Sequence, residues 1–252
     1  MTAEQLGFEL RAVAHLVRPW GAPIRDLEQL RAGIGDAPAE VLFHHAVQYQ
    51  LRHAGAGELP PDDFSAWIGG VVQDAETAER LSFAVQSQRS SPETIRSALL
   101  GVLDAIPGKR RAGREAPEDG AFLFRSASSV SFPTGLLVHD GDELLDALAG
   151  ADSSVWFFHL IEEPWSLAGR APLLEWLHGT ADPRLAAWLA RAAESGRPIE
   201  KARTHVMGQW RRSRIARRLA EATTAPEHVR RAAARQAVAR LVRRRRRPGD
   251  SA

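Results

Sequence analysis

The chain has 252 residues, 44% of them hydrophobic, with no cysteine and a formal net charge of +2. That length and apolar content suit one large folded domain or two ordinary ones. The absent cysteines exclude disulfides, thiolate zinc sites, iron–sulfur clusters and cysteine nucleophiles.

The charge is unevenly placed. Residues 1–199 hold 17 basic and 27 acidic side chains, whereas residues 200–252 hold 16 basic and 4 acidic. Only Lys109 and Lys201 are lysine, so arginine richness alone carries little weight. No apolar run approaches the roughly 18 residues of a membrane span, and MTAEQLGFELRAV lacks the basic and apolar regions of a signal peptide. A cytoplasmic protein is the expectation.

In chain order, Asp26 stands as an N-cap before DLEQLRAGI, and AEVLFHHAVQYQLRHA reads as a helix crossing the core. Asp62 and Asp63 precede FSAWI, where one of them caps a helix, and Asp74 opens the next. Ser91-Pro92-Glu93 is a further helix start. Ile95, Ala98, Leu99, Val102, Leu103 and Ile106 follow it at spacings of three and four, the stripe of an amphipathic helix. Residues 107–121, PGKRRAGREAPEDGA, lack apolar periodicity and read as a linker. FLFRSASSVSF is the one segment that could be extended. Asp182-Pro183 starts another helix, and two arginine-rich helical stretches close the chain, the second opened by Thr224, Pro226 and Glu227.

Sliding the chain on itself by 114 positions aligns Phe8–His45 with Phe122–His159 and gives 10 identities in 38, among them Arg11/Arg125, Gly21/Gly135, Phe43/Phe157 and His45/His159. Trp67 and Trp176 correspond after shorter offsets. This is the signature of a repeated unit. The expected architecture is therefore all-α: a first helical-bundle repeat over 1–106, the linker over 107–121, a second repeat over 122–222, and a basic helix and tail over 223–252.

The order of EVLFHH, PPDDFSAWI, DAETAERL and SPETIRSALLGVLDAI resembles the prokaryotic family called domain of unknown function 5752. Residues 6–106 match it clearly and the second unit more faintly, with Leu-Leu in place of Asp63-Phe64. The resemblance implies a helical fold and an association with sugar-metabolism genes, and supplies no activity.

Candidate metal ligands are His44, His45, His159 and Glu162, since imidazole and carboxylate groups can converge in a helical core. No His-x-x-x-His is present, and Gln48 stands where Glu162 would be. The competing reading is a histidine hydrogen-bonded inside the fold. No cofactor fingerprint occurs. Trp67, Trp176 and Trp188 read as core, and Trp165 has a better claim to exposure. Arg211, Arg212, Arg214, Arg217 and Arg218, with Arg243, Arg244, Arg245, Arg246 and Arg247, form a candidate surface for nucleic acid or another polyanion; the competing reading is a solvated face and tail. The function expected is a non-enzymatic binding or regulatory module with an unidentified protein partner. The alternative is an enzyme or metal-binding protein using a His/carboxylate cluster between the repeats.

Overall fold

The computed structural model describes residues 7–52, 62–87, 91–180 and 183–224. FELRAVAHLVRP forms strand β1 (Phe8–Pro19), followed by α1 (Leu27–Asp36). Next come α2 (Ala39–Leu42), a π-helical segment Phe43–Val47, α3 (Tyr49–Arg52), α4 (Asp63–Trp67) and a second π segment, Ile68–Val72. The long helices α5 (Ala75–Ser87) and α6 (Pro92–Asp104) precede α7 (Gly108–Arg111) and a 3-10 turn at Glu118–Gly120. Strand β2 (Arg125–Val138) leads to α8 (Gly141–Gly150), α9 (Ser153–Phe157), the π segment Phe158–Glu162 and α10 (Glu163–Ser166). Helices α11 (Pro172–Gly179), α12 (Pro183–Glu194) and α13 (Ile199–Thr224) complete the described elements.

The all-α expectation is wrong. Strands β1 and β2 pair antiparallel along their whole lengths in a two-stranded sheet, with a bulge between Leu10 and Arg11. The sheet ties the two ends of the chain's first 140 residues together, with β1 packing on α9 and β2 on α2 and α8. FLFRSASSVSF is indeed largely extended. β1 escaped notice because its apolar residues do not share one environment: Leu10, Ala12 and Val13 are buried, while Leu16 and Val17 are exposed. The pairing places Arg11 opposite Pro133 and Pro19 opposite Arg125.

Local chemistry accounts for the helices. Asp26 accepts from the Gln29 amide at 2.7 Å and Asp140 from Glu143 at 2.8 Å, satisfying first-turn donors. Asp62 caps α4 through Ser65 N and Oγ, both at 2.7 Å. Ser91 and Thr94 form a reciprocal capping box with Pro92 behind it. Asp182 lies outside the described residues, as do Pro226 and Glu227.

The strands thread aromatics into the helices. Phe122 packs against His45, Phe64 and Trp67 at centroid distances of 4.9, 5.5 and 5.5 Å. Phe8 packs against His159 and Trp176 at 5.2 and 5.4 Å. Residues 107–121 carry bonds of their own, with Arg25 Nε donating to Ala116 O and Trp67 Nε1 to Gly120 O. Internal packing divides the chain into residues 1–206 and 207–252. No helix among the described residues is long and apolar enough to cross a membrane.

Candidate functional site

Two π segments set the candidate histidines. A π turn widens the helix by one residue and re-aims the side chains after it. In Phe43–Val47 it carries His44 and His45; in Phe158–Glu162 it carries His159 and Glu162. Arg125 N–H donates to His45 Nε2 at 2.9 Å, and Arg11 N–H donates to His159 Nε2 at 2.9 Å. A neutral imidazole that accepts at Nε2 carries its proton on Nδ1. His45 Nδ1 accordingly donates to Asp63 Oδ2 at 2.7 Å, and His159 Nδ1 to Glu163 Oε2 at 3.1 Å. Each ring thus joins a helix-borne carboxylate to the backbone of a strand from the other part of the chain. Both nitrogens are occupied, leaving neither ring a lone pair for a metal.

His44 differs. It is 2% exposed, its Nδ1 lies 2.5 Å from Gln48 Oε1, and its Nε2 has no partner among the described residues. Burial, followed by the neighbouring His45 and Arg52, pushes its pKa down to about 4, so it is neutral near pH 7. Burial likewise lowers His45 despite the pull of Asp63. Burial opposes ionisation of Asp63, yet the bonds from His45 and Arg52 together hold its carboxyl below the usual range. His44, His45 and Asp63 offer ligand atoms within 4.8 Å of one another. A zinc ion with bonds of roughly 2.1 Å spans about 4.2 Å at most between ligands. To bind one, His45 would also have to release the Arg125 amide.

The four sequence candidates therefore do not converge on one centre. Glu162 turns away from His159 to meet His15 of β1, with Oε2 2.8 Å from His15 Nε2. Beside that pair opens a cleft of about 720 Å³ over β2, lined by residues that include Glu40, Phe43, Ser129, Phe158, Glu162 and Trp165. Trp165 is half-buried and 5.8 Å from the Phe43 ring. Composition and spacing gave no hint of His15, which sits on a strand unseen in the sequence, while the β2 serines lie on the segment read as extended but offered no site signal of their own.

Residues 5–207 match the Family of unknown function DUF5752 in a single run. The chain belongs to this family. The match does not stop at residue 106, so one DUF5752 unit takes in both strands and both histidine clasps. The solved structure of OrfY from Thermoproteus tenax shares the fold, with a TM-score of 0.66 and 23% identity over 81% of this chain and 94% of that one. No functionally curated protein matches the chain.

On α13, Arg211, Arg212 and Arg217 are exposed, and the Arg214 guanidinium lies 5.1 Å over the Trp210 ring. Arg211 and Arg212 form no ion pair among the described residues. The Arg218 side chain and Arg243–Arg247 lie outside those residues.

Proposed function

We propose that this DUF5752 protein is a non-enzymatic binding or regulatory module of the cytoplasm whose basic C-terminal region attracts polyanions. The observation that carries the reading is the pair of exposed arginines Arg211 and Arg212 on α13, without an ion pair among the described residues, in a region with four times as many basic as acidic residues. Side chains of this kind neutralise phosphates without reading sequence. The engagement of His45 and His159 in holding backbone amides supports binding over turnover, since a proton-transfer group needs a nitrogen free for its substrate. We also propose that the 114-residue correspondence reflects a duplication inside the single family unit, supported by the matched bonds Arg125–His45 and Arg11–His159.

Fluorescence anisotropy with duplex DNA tests the polyanion reading. Each phosphate neutralised contributes a slope of about −0.9 in log K against log salt, so even four contacts weaken binding roughly 150-fold between 50 and 200 mM. Deleting Arg243–Ala252 should flatten that slope while leaving the thermal midpoint in place. Undetectable binding at low salt by the intact chain would sink the reading.

A further inference from the structure

We propose that the cleft over β2 is a binding site for a small organic cation with an alkylammonium head. The reading rests on the cleft's composition and goes beyond polyanion binding, which involves a different region and the opposite charge.

Three aromatic rings and three carboxylates line the cleft: Phe43, Phe158 and Trp165 with Glu40, Glu93 and Glu162. No lysine, arginine or histidine is among the described residues that line the cleft. Of the described residues beside the cleft, His15 and Arg11 already have partners. His15 faces Glu162 Oε2, while the Arg11 guanidinium is bonded to Ser131 and Glu9.

Glu162 is the informative member. It is 5% exposed, and His15 takes only its Oε2. Its Oε1 has no partner among the described residues and is not one of the fully buried unpartnered atoms, so it is open to the cleft. A carboxylate so placed is stabilised by a counter-charge arriving from the cleft. The inclined Phe43 and Trp165 rings, 45° apart, present π faces that attract a cation and shelter its methyl or methylene groups. Glu40 and Glu93 are exposed at the rim and ion-paired to nothing among the described residues, so they add negative potential at the mouth. At about 720 Å³ the cleft falls in the size range of small-molecule sites.

Choline and its uncharged isostere 3,3-dimethylbutan-1-ol separate charge from shape. Calorimetric titration of the full chain should give saturable choline binding, with the alcohol at least roughly tenfold weaker, a gap that corresponds to the added cation–π and carboxylate attraction. Trp165→Leu and Glu162→Gln should each weaken choline several-fold. Since Glu162 also holds His15, the exposed pair Glu40→Gln/Glu93→Gln provides a variant remote from the core, and it should weaken choline and reduce its salt dependence without changing binding of the alcohol. Equal affinity for choline and the alcohol would show an apolar or polyol cleft and overturn the proposal. So would failure of choline to saturate the folded wild-type chain at tens of millimolar. Loss of DNA binding after deletion of Arg243–Ala252 leaves the choline result as it was, so the two readings fail separately.

Discussion

His44 is buried beside His45 and Arg52, and its Nε2 has no partner among the described residues, which makes it one source of acid sensitivity in the fold. Its folded pKa of about 4 lies below the unfolded value near 6.5. Between those values the unfolded chain binds the extra proton, so stability falls as pH drops from 6.5 towards 4 and this contribution levels off below. Replacing the ring and its partner together, His44→Phe with Gln48→Leu, removes donor and acceptor at once. At pH 7 the double variant should stay within about 1 kcal/mol of the parent. It should lose less stability than the parent between pH 7 and pH 5, with His45 retaining a share of the acid sensitivity. Urea midpoints at the two pH values measure this, and an unchanged drop would place the sensitivity elsewhere. The histidines themselves were legible in the sequence, through the matched spacing of His45 and His159. Their partners were not: Arg11 and Arg125 contribute backbone amides, which every residue but proline possesses.

The contact between α1 and the approach to β2 is tight enough for one methyl group to test it. A Cβ on Gly33 would meet Phe124 Cε2 at 2.5 Å and Cζ at 2.6 Å, while one on Gly35, two residues on in α1, would meet nothing within 4 Å. Phe124 cannot yield easily, because it is buried and packs edge-on against Phe122 and Trp20. Gly33→Ala should destabilise by about 1–3 kcal/mol. Gly35→Ala should be neutral or stabilising by up to about 1 kcal/mol, through helix propensity and reduced unfolded-state entropy. Thermal melts of the two variants decide it, and equal melts would mean that the helix and strand approach are looser than described. Capped helices were the most readable elements, since Asp26 and Ser91 advertise their first turns. The π segments were not, because a widened turn of five residues barely disturbs a helical apolar pattern. β1 lacked the nearby turn chemistry that marks a hairpin, since its partner lies far along the chain.

Across the molecule, the pairing of β1 with β2, together with the bonds that residues 107–121 make on either side of Gly113, should hold the fold after the chain is cut there. A protease site placed near Gly113, cut after folding, should leave two fragments that co-elute at neutral pH and separate only in denaturant. Size-exclusion chromatography with native mass spectrometry reports this, and fragments that part in plain buffer would show that the sheet and its histidine clasps contribute little. The internal correspondence in the sequence suggested two related halves. It did not show that they exchange strands, because a repeat records which residues recur and not which copy they touch.

That exchange also imposes an order on synthesis. Phe8 pairs with Val138, so the first strand leaves the ribosome about 130 residues before its partner exists. At translation rates of about 5–20 residues per second, β1 waits for roughly 7–26 s with both hydrogen-bonding edges open. During that interval the nascent N-terminal helices carry His45 without the Arg125 amide and Phe64 without Phe122.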